Sequence, residues 1–225
     1  MQKDTLKEKF VSEITRGVIS GKYPVGSRLP AERALAVEMG ISRTVIRAGL
    51  AELAANGVVR QLGRGGCVVV DYRVDGRIPI VNAILMSGGD MSQQIKQDYL
   101  DARRLIETET SRLAAINRSN DDLYRLFLTL REGNLIDEND LDSRAAQEFK
   151  FHKLVAVASG NSFYPVFINS MEDTALNLLK TMYCPTMTKN EALKLQELLY
   201  EAILERNPEK SIAAMQSMFE HRRPE

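Results

Sequence analysis

From Thr5 to Ile19 apolar side chains recur at Leu6, Phe10, Val11, Ile14, Val18 and Ile19, spacings of three, four and seven that predict an amphipathic helix stopping at Gly21. GKYPVGSRLP follows, with two glycines and two prolines that break helix and set an extended connection. A second, short helix is expected with Pro30 in its first turn, Glu32 near its positive end, and Leu35, Ala36 and Met39 as its stripe, ending at Gly40. Ser42 is placed to cap a third helix through Val45, Ile46, Leu50, Leu53 and Ala54 to about Asn56. Two short helices joined at a glycine form a helix-turn-helix pattern.

Beyond Asn56-Gly57 the period shortens. VVRQL, GRGG and CVVVDY read as two strands joined by a glycine-rich connection. Three helices and a hairpin make a winged helix of roughly 70 residues, enough to fold as a unit. Past Val74 helical periodicity takes over, with helices expected at about 80–87, 92–117, 120–132, 140–158, 163–183, 189–206 and 208–222. Breaks are expected at SGGD, 117–120, GNLIDEND, SGNS, around Pro185 and at Asn207-Pro208. The fold class is mainly α: an N-terminal winged helix-turn-helix with a small β-hairpin wing over 1–75, and an all-α antiparallel bundle of six or seven helices over 76–225.

Charge sharpens the division. Over 1–77 there are 13 Lys and Arg against 8 Asp and Glu, and over 78–225 there are 17 against 22, so a formal charge of zero splits into +5 and −5. A basic head on an acidic body suits a polyanion-binding module joined to a regulatory one. No apolar run is long enough for a membrane span, and MQKDTLKEKF lacks the apolar core of a signal peptide, so a cytoplasmic protein with no membrane partner is expected. Cys67 and Cys184 are too few for a disulfide framework and form no CxxC pair.

The third helix opens SRTVIRAGL, bringing Ser42, Arg43, Thr44 and Arg47 into its first turn and a half while Ile46, Leu50 and Leu53 face inward. A recognition helix enters the major groove by its start, where Arg can donate two hydrogen bonds to guanine and Ser or Thr can hold phosphates. Arg43 is the candidate for base readout. Arg43 and Arg47, four apart, would repel on an isolated helix, which argues against a merely solvated face. Arg33 is placed to meet a backbone phosphate, fixing orientation rather than sequence. Gly63, Arg64, Gly65 and Gly66 form a slim hairpin tip able to lie in the adjacent minor groove.

The segment GKYPVGSRLPAERALAVEMGISRTVIRAGLAELAANGVVRQLGRGGCVVV resembles the N-terminal domain of the GntR family of bacterial transcription regulators, through its LPAER box, its ISRTVIR box and its GRGG wing in the family's order. The resemblance covers about 8–72. It implies that Arg33, Arg43, Thr44, Arg47 and Gly63 fall where the family contacts its operator, with Val45 at a position that is often polar.

In the acidic half, Arg103 and Glu107 lie four apart in YLDARRLIETETSRLAA and can form a helical ion pair. Glu148 and His152, four apart in QEFKFHKLV, have a spacing that suits two ligands of one ion. His221 is the other histidine. ARRLIE, EFKFHKLVAVASGN and QELLYEAILERNPEKSIAAMQSMFEH resemble the FCD effector-binding domain of the FadR subfamily over about 95–222. That resemblance implies a helical cavity for an organic acid and often a metal, held by one Asp and three His. Here Glu148 stands at the Asp position, His152 and His221 match, and Gln196 replaces a His. A divalent zinc, nickel or manganese ion on Glu148, His152 and His221 is one reading; a polar cavity in which these three and Gln196 hydrogen-bond one another or the effector is the other. Arg103, at the arginine of the family's helix motif, would receive an effector carboxylate in two-point fashion. Asn161 in SGNS is a helix cap, with an effector contact as the second reading.

The function expected is a homodimeric transcription regulator, a repressor, that binds a palindromic operator in double-stranded DNA and responds to a small carboxylate metabolite. Two alternatives stand beside it: a ligand-free DNA-binding protein whose helical half only dimerises, and a metal-dependent enzyme using Glu148, His152 and His221. The chain has no HExxH, phosphate loop or GxSxG elbow, so no enzyme is expected.

Overall fold

The computed structural model describes residues 5–63, 66–77, 80 and 93–220. The chain divides into two compact units, Met1–Gln93 and Gln94–Glu225.

In the first unit α1 (Leu6–Ile19) starts from a capping box, with the Glu8 N–H donating to Thr5 Oγ1 at 3.2 Å and the Thr5 N–H to Glu8 Oε2 at 2.7 Å. Its apolar stripe buries Phe10, Val11, Ile14 and Val18. Helix α2 (Glu32–Met39) begins one residue past the expected turn: Ala31 is its N-cap, and Pro30 lies outside the helix. Gly40 ends it at φ 64°, a left-handed conformation that costs glycine nothing. Ser42 then caps α3 (Arg43–Ala55) by accepting the Val45 N–H at 3.3 Å.

Helix α3 can lie close to α1 because Gly49 has no side chain; a Cβ there would stand 2.2 Å from a ring carbon of Phe10. Ile46, Leu50 and Leu53 join Phe10, Ile14 and Leu35 in one core. Strands β1 (Val59–Gln61) and β2 (Cys67–Val69) pair antiparallel with Val59 opposite Val69 and Gln61 opposite Cys67. The extended segment before α2 adds a bridge from Arg28 to Val68. A one-turn helix, α4 (Tyr72–Asp75), follows.

The second unit is all helical among its described residues: α5 (Gln93–Asn117), α6 (Asn120–Leu135), α7 (Leu141–Ala158), α8 (Phe163–Asn169), α9 (Glu172–Leu178), α10 (Lys189–Leu204) and α11 (Pro208–Glu220). Helix α7 is the hub, packing on α6, α8 and α9, while α10 packs on α6 and α11. Leu126, Phe151, Val155, Leu199, Ile203 and Met215 form the apolar core. No described helix is long and apolar enough to cross a membrane.

Two further expectations need correction. The single helix over 163–183 is three pieces: α8 stops at Ser170, the backbone turns at the buried Met171, and α9 runs into a π-helical turn (Leu179–Tyr183) closed by the Cys184 N–H on Leu179 O at 2.8 Å. The break expected from Gly133 lies further on, because α6 continues to Leu135. Gly133 serves close approach instead; a Cβ would stand 2.6 Å from Leu193 and 3.0 Å from Gln147. Of the helix expected at 80–87, only Ile80 is among the described residues.

Candidate nucleic-acid interface and buried polar core

With Ile46, Leu50 and Leu53 turned into the core, the other face of α3 carries Ser42, Arg43, Thr44 and Arg47, all exposed. Arg33, exposed on α2, lies one residue beyond the carboxylate that organises this surface. Arg47 Nε donates to Glu32 Oε2 at 2.8 Å, and an Arg43 guanidinium nitrogen stands 3.6 Å from the same oxygen. The two arginines that would repel on an isolated helix therefore share one anion. Val45, at the position that is often polar, is half-buried.

The hairpin continues past its strands, since the Leu62 N–H donates to Gly66 O at 2.8 Å. Gly63 and Gly66 adopt φ 59° and 81°, a left-handed conformation that favours glycine at both positions. Arg64 and Gly65 lie outside the described residues.

In the helical unit, most of the candidate side chains meet in the interior. Arg103 and Glu107 on α5 are about 2 % and 1 % exposed, and Arg103 Nε donates to Glu107 Oε1 at 2.6 Å. The guanidinium carbon lies 5.8 Å from the Tyr99 ring centre and 5.6 Å from that of Phe219, a cation held between two aromatic faces. Glu107 turns its second oxygen to His152 Nδ1 on α7. Burial pushes the Glu107 carboxyl up, but the charges of Arg103 and His152 and the hydrogen bonds from both outweigh it and hold the group down at about 2.

The chain of contacts continues beyond the imidazole. His152 Nε2 is 3.4 Å from Glu148 Oε1, and Gln196 of α10 donates from Nε2 to Glu148 Oε2 at 3.2 Å. Gln147 donates from Nε2 to Gln196 Oε1 at 2.8 Å and to the Thr129 carbonyl of α6 at 3.1 Å. One buried polar string thus crosses α5, α7, α10 and α6. Glu107, Gln147 and Glu32 were not singled out as site residues in the sequence. The i, i+4 spacing shows that Glu107 can reach Arg103, but no local signal reveals the contacts of Gln147 or Glu32.

The metal reading fares poorly on chemistry. Among the described residues no three His, Cys, Asp or Glu side chains converge on one point, and Glu107 lies across the imidazole from Glu148. Gln196 offers its amide N–H₂ to Glu148, and a neutral amide is a weak ligand for a borderline metal. His221 lies outside the described residues. The described donors do not make a metal set. Asn161 stands apart from the string: exposed, its Oδ1 accepts the Phe163 N–H at 2.8 Å at the start of α8.

A small pocket opens beside this string, lined by Arg144, Gln147 and Glu148 of α7, by Leu179 and Cys184 of the π turn and its end, and by Ala192 of α10. Burial pushes the Cys184 thiol up despite the nearby Arg144 charge.

Residues 6–69 match the family model described as bacterial regulatory proteins, gntR family, and residues 98–221 match the FCD domain. The chain is 28% identical over 212 residues to the Glc operon transcriptional activator of Escherichia coli K12, covering 89% of this chain and 81% of that one. It is 26% identical to the regulator LutR of Bacillus subtilis, covering 87% of this chain and 90% of that protein. Among solved structures it shares its fold with Lar of Listeria monocytogenes, described as controlling expression of the agr system, at a TM-score of 0.62 and 19% identity over 98% of this chain and 95% of that one.

Proposed function

Since the chain belongs to the gntR family of bacterial regulatory proteins and carries the FCD domain, it is a DNA-binding transcriptional regulator rather than an enzyme, and we propose that it acts in the cytoplasm as a homodimeric repressor relieved by a small organic acid. Residues 1–75 are the DNA-binding module, and 76–225 bind the effector and hold the dimer.

The observation that carries this reading is the exposure of Arg43 and Arg47 on the one face of α3 that the core does not use. In the complex, α3 enters the major groove, Arg43 reads a guanine, and Arg47, Ser42 and Thr44 hold the helix on the backbone. Arg33 takes a phosphate on the flank, and the tip at Gly63 and Arg64 enters the neighbouring minor groove. Two copies present two such helices to the halves of a palindrome.

The effector is read in the helical unit by the groups around Glu148, His152 and Gln196, with Arg103 held in reserve by Glu107. To relieve repression it must bind the DNA-incompetent arrangement more tightly than the competent one.

Gel retardation of the promoter upstream of the chain's own gene tests the reading. Arg43→Ala should lose the preference for that fragment over random duplex, by about 1–3 kcal/mol per half-site, with an unchanged circular dichroism spectrum. An unaltered preference rejects the assignment of α3. Sedimentation velocity should return a dimer.

A further inference from the structure

Helix α5 turns one face away from the described core of its unit. Leu105, Glu109, Arg112 and Ile116 recur at spacings of four, three and four, which puts them within about 60° of one another around the helix. Arg103, Glu107, Thr110 and Ala114 are buried on the opposite side. Leu105 is 74% exposed and Ile116 45%. Between them Glu109 accepts from Arg112 Nε at 2.8 Å and from a terminal nitrogen at 2.7 Å. Helix α8 adds to the apolar end: Asn117, the last residue of α5, donates to the Ser159 carbonyl at 2.8 Å, and α8 begins a few residues on with Phe163 and Val166, 80% and 64% exposed.

The order apolar, acidic, basic, apolar becomes its own complement when reversed. We propose that two copies of this chain meet along α5, the two helices antiparallel about a two-fold axis at the level between positions 110 and 111, with Glu109 of each copy on Arg112 of the other. The inference rests on the homodimer reading and names the surface that holds the dimer. A self-complementary patch of this kind is what a two-fold contact requires. Charge fixes the direction, since parallel helices would set Glu109 on Glu109 and Arg112 on Arg112, and like charges in contact oppose association.

One register serves both kinds of contact. Leu105 and Ile116 are centred on the same level as Glu109 and Arg112, so each leucine falls on the isoleucine of the other copy, about 8 Å from the axis, near the start of its α8. Guanidinium has five donors, of which Arg112 uses two on Glu109, and a carboxylate has about four lone-pair sites. The two pairs can therefore close into a square of alternating charge with apolar contacts above and below.

The other charges on this face do not oppose the fit. Asp98 and Asp101 lie nearer the helix start and accept from Gln94 and Gln97, one turn earlier, at 2.8 and 3.0 Å. In this register both fall opposite positions beyond Asn117, where the other α5 has ended.

The test is sedimentation equilibrium of the full chain, with circular dichroism to check folding. Glu109→Arg and Arg112→Glu each set like charges together twice per dimer, and each should weaken self-association at least about a hundredfold. Mixed in equal amounts, the two variants should form a heterodimer within about tenfold of the wild-type affinity, because each then meets the opposite charge at both contacts. A merely structural role for the pair would give no such rescue. Leu105→Ser, which touches no charge, should weaken association at least about tenfold and stays decisive if a reversal fails to fold. Folded variants that dimerise like wild type overturn the proposal, leaving this face to a different protein and the homodimer reading intact. Two folded, monomeric reversals that do not associate when mixed overturn it as well. A wild-type chain that sediments as a monomer at every concentration overturns both the seam and the homodimer.

Discussion

Arg47 Nε donates to Glu32 Oε2 at 2.8 Å across the turn between α2 and α3, although fifteen positions separate the two in the chain. Arg43 leans on the same oxygen at 3.6 Å. One carboxylate thus holds both arginines of the exposed α3 face in place and offsets part of their charge beside the path of a polyanion.

Replacing that carboxylate separates the two effects. Exposed ion pairs contribute about 0–1 kcal/mol, so the fold should survive Glu32→Gln. Removing a negative charge near phosphates should tighten binding to random duplex about two- to fivefold. Losing the common anchor for Arg43 and Arg47 should lower the ratio of operator to random affinity. Fluorescence anisotropy with both duplexes at several salt concentrations reads the two quantities; an undiminished ratio would show that Glu32 does not orient the arginines.

Arg103 and Glu107 make the strongest case for a stability test. Breaking a buried pair leaves one charge unpartnered and costs about 3–5 kcal/mol, so Glu107→Gln should lower the midpoint of urea unfolding sharply at pH 7. The Glu107 carboxyl moves from 4.5 to about 2 on folding. Its contribution is complete above the unfolded carboxyl's pKa of 4.5 and is lost as pH falls from there through the depressed folded value. The gap between wild type and Glu107→Gln should therefore narrow between pH 5 and pH 3. A constant gap over that window would show that Glu107 is not held ionised.

Gly49 sets the distance between α1 and α3. A methyl group there would stand 2.2 Å from the Phe10 ring, which is fully buried and cannot swing into solvent. Overpacking of this kind costs about 1–3 kcal/mol. Gly49→Ala should lower the unfolding temperature and weaken operator binding, since the seat of α3 shifts. Combining it with Phe10→Leu should restore part of both, and a Gly49→Ala protein as stable as wild type would place the ring elsewhere.

What could be read from the sequence follows the range of the interactions. The cap at Ser42, the glycine stop at Gly40 and the stripe Ile46, Leu50, Leu53 are local, and the winged helix followed from them. The pairing of Arg103 with Glu107 was legible from the i, i+4 spacing, but its burial between Tyr99 and Phe219 was not, because those rings come from α5 and α11. Gly133 looked like a helix stop and is a contact point, because the deciding neighbours, Gln147 and Leu193, are on other helices. The same holds for the interruption at Met171, where burial of that side chain overrides a continuous helical period. Gln196 was recognisable only as a departure from a pattern; its contacts with Gln147 and Glu148 came from packing of α10 on the bundle.

Gln196 also supplies a test of the donor set. In wild type its amide fills the position beside Glu148, 3.2 Å from Oε2, with His152 Nε2 3.4 Å from the other oxygen. EDTA should leave the unfolding temperature of the wild-type chain unchanged, and added zinc or nickel should not raise it. Gln196→His puts an imidazole next to Glu148 and His152, giving three strong donors from α7 and α10 where the wild type has two and an amide. That variant should be stabilised by added metal, by about 2.7 kcal/mol at a free concentration one hundred times its dissociation constant, and EDTA should reverse the gain. Metal stabilisation of the wild type equal to that of Gln196→His would mean that the amide is no obstacle and that a metal completes the site through other groups.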